Sequence, residues 1–194
     1  MSHFQVGSFV RPCDGEAVAG DAIVVKELSE GVFLCLIDAL GHGREAAEVA
    51  LLAIRFLKQN SSSDVAQILR ELNEHLAGTR GAMVGIAFAD NDKGTVSCTG
   101  LGNAVIRRLG NRGESFPSPD GIVGVRFRTP RVSRFQLGSD DLLLMHSDGI
   151  DDSLFNESAP SLWAQPVDAI ARRIVLDHGR QYDDAACLIV RYQP

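Results

Sequence analysis

No apolar run in the 194 residues is longer than six, and Val32 to Ile37 is one of that length. A membrane-spanning helix needs about 20 such residues, so no membrane partner is expected. The N-terminus, MSHFQVGSFVRP, has no basic stretch leading into an apolar one, which predicts no secretory signal. Positive charge is also short: 19 Lys and Arg against 25 Asp and Glu give a net charge of -6. That balance argues against nucleic-acid partners bound by phosphate neutralisation. Cysteine is sparse, with four residues at 13, 35, 98 and 187, no C-x-x-C pair and no His at zinc-ligand spacing. None of the four has an Arg six residues on, which disfavours a phosphatase with a cysteine nucleophile. Cys35, Cys98 and Cys187 lie in apolar, strand-like contexts and read as buried free thiols. The combination predicts a cytoplasmic protein. What is present, 45% hydrophobic and 23% charged residues, is an ordinary globular balance, and the length suits one domain over residues 1–194.

Strand patterns dominate the chain. Residues 22–27 and 32–37 flank Ser29-Glu30-Gly31, a hairpin signal. A helix is predicted from Arg44 to Lys58, with Ala46, Ala47, Ala50, Leu51, Ile54 and Leu57 at helical spacing. The cluster Ser61-Ser62-Ser63-Asp64 then caps a second helix with Val65, Ile68, Leu69, Leu72 and Leu76 on one face, and Gly78 suits its C′ position. Strands follow at 82–89 and 95–101 around the turn Asn91-Asp92-Lys93-Gly94, then near 103–109, 131–137 and 142–147. The segment 110–130 reads as loop with short strand pieces, 166–177 as a third helix and 186–192 as a last strand. Strands in runs with helices in separate blocks predict an α+β fold with antiparallel sheets.

The chemistry is carried by aspartates at strand ends. Asp21 precedes a strand, Asp38 and Asp148 end apolar strands just before glycine-bearing turns, and Asp183 and Asp184 lead into the last strand. Each alone reads as a turn or cap residue. Together they could converge on one rim, where unneutralised carboxylates would repel one another and lose hydration. Hard divalent cations such as Mg²⁺ and Mn²⁺ remove that cost through oxygen ligands, whereas zinc prefers His and Cys.

The ordered set Gly20-Asp21, Asp38-Ala39-Leu40-Gly41-His42-Gly43, Gly81-Ala82, Gly102-Asn103, Ser147-Asp148-Gly149 and Asp183-Asp184 resembles the PP2C-like (PPM) metal-dependent serine/threonine phosphatases. Within them it is similar to the SpoIIE-type branch and, since a chain this short is expected to carry no added sensor domain, to the stand-alone stressosome phosphatases of that branch. The resemblance implies an α-β-β-α sandwich, two central antiparallel sheets with helices on both outer faces. It implies two ions, Mn²⁺ or Mg²⁺. Asp38 would bridge them, Asp21 and the carbonyl of Ala39 would serve one, and Asp148 and Asp183 the other, with Asp184 as the alternative ligand in the doublet. Ala39 stands where the family has Gly, so its carbonyl can serve only if the backbone angle there suits a Cβ. The implied partners are phosphorylated STAS-domain proteins, either stressosome scaffold proteins or anti-anti-sigma factors.

His42 is the candidate general acid for the leaving serine oxygen. His146 reads as a packed core residue or as a partner behind the metal ligands, and Arg107, Arg108 and Arg112 as a basic face. Three competing readings remain. Gly41-x-Gly43-x-x-Ala46 matches the dinucleotide fingerprint, but the second strand which that fold demands about 20 residues on is replaced by a helix start. A histidine-kinase-like ATPase is a near miss by one residue. A catalytically weak phosphatase fold kept as a partner-binding module is disfavoured by retention of every carboxylate.

Overall fold

The computed structural model describes residues 3–110, 113–153 and 160–193. Ten strands and four helices follow one another as β1 (Phe4–Arg11), β2 (Asp21–Leu28), β3 (Gly31–Ala39), α1 (Gly43–Asn60), α2 (Val65–His75), β4 (Ala82–Asp90), β5 (Thr95–Leu101), β6 (Val105–Leu109), β7 (Glu114–Ser115), β8 (Ser133–Gln136), β9 (Leu142–His146), α3 (Pro160–Trp163), α4 (Val167–His178) and β10 (Ala185–Tyr192). They form two five-stranded sheets, β1-β10-β9-β6-β7 and β2-β3-β4-β5-β8. Every strand pair in both is antiparallel. The parallel sheet of a dinucleotide-binding fold is therefore ruled out, although β3 does run into α1 through the glycine-bearing turn.

Alternation along the central strands explains the layers. In β3, Phe33, Cys35 and Ile37 face α1 and α2, while Val32, Leu34 and Leu36 face the other sheet. In β10, Ala186, Leu188 and Val190 meet that inner core, and Ala185, Cys187 and Ile189 face α4. Strands covered on both sides read as continuous apolar runs, as VFLCLI and AACLIV do. The result is α1 and α2, sheet, sheet, α4: the layered sandwich that the resemblance implied.

Local signals account for most boundaries. Leu28 pairs with Gly31 across a two-residue turn. The Asp64 side chain accepts a hydrogen bond from the Gln67 N–H at the start of α2. Gly78 does adopt a left-handed φ of 83°, but two residues past the C-cap Leu76 and not directly after it. β1 had no counterpart in the sequence pattern, nor had the short α3. All four cysteines are free and buried. Among the described residues no helix is long and apolar enough to cross a membrane.

Candidate metal centre

The hairpin register sets the first pair of acids: Asp21 lies directly opposite Asp38 across β2 and β3. The second sheet supplies the rest, because β9 ends at His146 and hands Asp148 to the rim, while Asp183 and Asp184 stand just before β10. Ser147 ties the sheets together. Its Oγ donates to Asp21 Oδ2 at 2.6 Å and accepts from the Ala186 N–H at 3.0 Å. Its own N–H donates to the Ala186 carbonyl. Asn103 Nδ2 donates to Asp148 Oδ2. Arg180 holds the Asp148 turn from behind, with Nη1 on the Asp148 carbonyl at 2.9 Å and its N–H on the Gly149 carbonyl at 2.7 Å.

The shared rim raises the carboxyls against ionisation. Burial pushes the Asp38 carboxyl up from its ordinary range, and the charges of Asp21, Asp148 and Asp183 push it further. Asp21 is raised chiefly by burial; the Ser147 hydrogen bond opposes this, and the Asp184, Asp183 and Asp148 charges add to it. Asp183 is raised by burial and then by Asp148. Asp148 lies close enough to Asp38 to oppose its ionisation. When both are ionised neither can donate, and Asp38 Oδ2 is buried with no donor among the described residues. A buried, undonated carboxylate oxygen in an all-oxygen cluster fits a hard divalent cation. Among the described residues no three His, Cys, Asp or Glu side chains already surround one point closely enough to hold an ion. The rim is thus a set of paired acids and not a closed cage.

The doublet divides in two. Asp184 is buried, and its two oxygens accept the Cys13 N–H at 2.8 Å and the Gly20 N–H at 2.7 Å. Asp183 is half-buried and, among the described residues, accepts only the neighbouring Asp184 N–H at 2.9 Å. Ala39 ends β3 with its side chain buried in the core. Among the described residues Asp140 alone, glycines aside, has a positive φ, so the backbone at Ala39 accommodates a Cβ.

His42 occupies the N-cap of α1 without capping it, and its Nδ1 lies 3.0 Å from Glu16 Oε1. His146 is 1% exposed, with Nδ1 2.9 Å from the Ser147 carbonyl and Nε2 3.3 Å from Asp152 Oδ1. The imidazole in turn holds the Asp152 carboxyl below its usual range. A pocket of about 220 Å³ opens beside Asp148, lined in part by Asn103, His146, Asp152 and Arg180. The expected basic face is not a free one. Arg107 donates to Asp152 at 2.9 Å, and Arg108 donates to the Gln136 carbonyl and pairs with Glu114. Arg112 lies outside the described residues. Ser147 and Asn103 stood inside motifs that gave them no role, and Arg180 and Asp152 had no signal in the sequence.

A family model, Stage II sporulation protein E (SpoIIE), matches residues 29–193. A search of curated proteins returns no match. Among solved structures, one from work on the bacterial stressosome, described as a modular system adapted to control secondary messenger signalling, is 28% identical with a TM-score of 0.88. It covers 97% of this chain and 99% of its own. RsbX in complex with magnesium is 19% identical, with a TM-score of 0.81 over 98% of this chain and 96% of its own. The catalytic domain of the serine/threonine protein phosphatase PstP, in complex with two manganese ions, is 14% identical, with a TM-score of 0.72 over 98% of this chain and 99% of its own. The extent of the family match, on this fold and this rim, means that the chain belongs to the SpoIIE family of PP2C-like protein serine/threonine phosphatases.

Proposed function

We propose that this phosphatase hydrolyses phosphoserine or phosphothreonine on STAS-domain proteins of a bacterial stress-signalling pathway in the cytoplasm. The observation that carries the chemistry is the buried rim of acids from both sheets, with Asp38 at its centre and one Asp38 oxygen undonated. The stressosome structure and RsbX, which this chain resembles across nearly its whole length, favour the STAS substrate over other phosphoproteins.

In this reading Asp21, Asp38, Asp148, Asp183 and the Ala39 carbonyl would hold two Mn²⁺ or Mg²⁺ ions, and Asp184 serves as a backbone clamp. Bound there, such ions lower the pKa of a water and offset phosphate charge. The chain's own residues set the geometry. Ser147 fixes one oxygen of Asp21 and Asn103 one oxygen of Asp148, which leaves the other oxygen of each for a cation. Glu16 holds His42 Nδ1, so Nε2 is the atom from which a proton can reach the leaving serine oxygen. The pocket beside Asp148 gives room for the phosphorylated side chain.

Asp38→Asn should abolish Mn²⁺-dependent hydrolysis of an aryl phosphate while the circular dichroism spectrum stays that of the wild type. Full activity in that variant would reject the central role of Asp38. Incubation of phosphorylated STAS proteins with enzyme and Mn²⁺, read by intact mass, tests the substrate. Retention of the phosphate on every STAS protein, with aryl phosphate still turned over, would reject the substrate class alone.

A further inference from the structure

The residues from 121 to 137 carry Arg126, Arg128, Arg131 and Arg134 and no acid, in a chain of net charge -6. The first part of this segment is a small hairpin. The Ile122 N–H donates to the Arg126 carbonyl at 3.0 Å, and the Arg126 N–H returns a bond to the Ile122 carbonyl at 2.8 Å. Its tip is clamped. Gly124 has a φ of 89°, its N–H donates to Asn73 Oδ1 at 2.8 Å, and a Cβ there would stand 2.6 Å from the Leu76 carbonyl oxygen. Only glycine allows that approach to the end of α2. Phe127 packs against the core and anchors the other side.

The hairpin also lies at the acidic rim. Val123 exchanges both backbone hydrogen bonds with Ala82, at 2.9 and 3.1 Å, and Ala82 pairs with Ala39, the neighbour of Asp38. At about 4.8 Å per strand this places the hairpin backbone roughly 10 Å from the Ala39 backbone. Val125 is 59% exposed, and Arg126 and Arg128 are exposed on either side of the anchored Phe127. Among the described residues neither of these two arginine side chains makes an ion pair or a hydrogen bond. Arg11, Arg80, Arg107, Arg108, Arg180 and Arg191 are all bonded within the fold.

We propose that this rigid hairpin, through Arg126 and Arg128 with Val125 at its tip, is the docking surface for acidic residues flanking the phosphorylated Ser or Thr of the substrate protein. The inference rests on the phosphatase reading and adds the charge that the site selects. In a chain of net charge -6, acidic residues beside the phosphorylated side chain are repelled by the protein as a whole unless a local positive surface meets them, and two unpaired arginines on a clamped backbone supply one with little loop ordering.

The test uses two synthetic phosphoserine peptides of equal length, one with three Asp and the other with three Lys beside the phosphoserine, and an aryl phosphate in parallel. Wild-type enzyme with Mn²⁺ should favour the acidic peptide by about tenfold in kcat/KM, mainly through KM, and the preference should shrink in high salt. Arg126→Glu with Arg128→Glu should remove or invert the preference and leave aryl phosphate turnover unchanged. The Gln pair at the same positions should remove it without inverting it. Equal rates on both peptides, turnover of neither peptide alongside normal aryl phosphate turnover, or a preference that survives both double variants would overturn the proposal. Loss of aryl phosphate turnover in the wild type would instead strike the phosphatase reading beneath it.

Discussion

Asp183 and Asp184 are one side chain type in adjacent positions, and their burial and hydrogen bonds separate them. Replacing Asp184 by Ala leaves the buried Cys13 and Gly20 N–H groups without their acceptors. Each lost partner costs about 1–3 kcal/mol, so the melting temperature should fall by several degrees. The rise in melting temperature on adding Mn²⁺ should persist. Asp183→Asn should do the opposite, with metal-free stability kept or raised and the Mn²⁺ response lost. Thermal unfolding with and without Mn²⁺ reads both; a swapped pattern would reverse the assignment of ligand and clamp. Asp21, Asp38 and Asp148 were legible in the sequence because each stands beside a glycine-bearing turn at the end of a strand. The doublet was not, since sequence does not show which carboxylate meets backbone N–H groups. For the same reason Arg107 and Arg108 looked free: the acids that engage them, Asp152 and Glu114, reach them only through the fold.

At the level of elements, strands that announce themselves have local causes, such as the two-residue turn between β2 and β3 or the Asn91–Gly94 loop after β4. β1 lacks one. Its alternation is interrupted by Gly7, and its partner is β10 at the far end of the chain. The glycine has a tertiary reason: a Cβ there would lie 2.4 Å from the backbone of Val167 and Asp168, where α4 crosses the strand. Gly7→Ala should therefore force α4 off the sheet and lower stability by about 1–3 kcal/mol. Urea unfolding measures this, and an unchanged midpoint would show that α4 can shift at no cost. β1 and β10 lie side by side beneath α4, so the helix, these two strands and the Asp183–Asp184 turn form one unit. Disturbing Gly7 should therefore also weaken the metal response.

For the whole molecule, the acidic rim joins two sheets whose inner faces otherwise meet chiefly through apolar side chains. Asp21 and Asp38 come from one sheet and Asp148 and Asp183 from the other, so a cation held among them would fasten the sandwich at that end. The cost of leaving them without one depends on pH. Asp21, Asp38 and Asp183 all have folded-state pKa values raised above the ordinary carboxylate range, first by burial. A raised carboxyl keeps its proton longer in the folded state than in the unfolded one. Its stabilising contribution is therefore full below the unfolded value of about 4 and is lost as pH climbs through the folded value. Metal-free protein should thus melt several degrees higher at about pH 5 than at about pH 8. Mn²⁺ should close that gap by acting mainly at the higher pH, where the ligands are ionised. Asp38→Asn, which removes the most strongly crowded charge, should flatten the pH dependence and raise the metal-free melting temperature at about pH 8 above that of the wild type. A wild-type melting temperature that rises with pH in the absence of metal would mean that these carboxylates are already neutralised within the fold, and the case for a cation at the rim would fail.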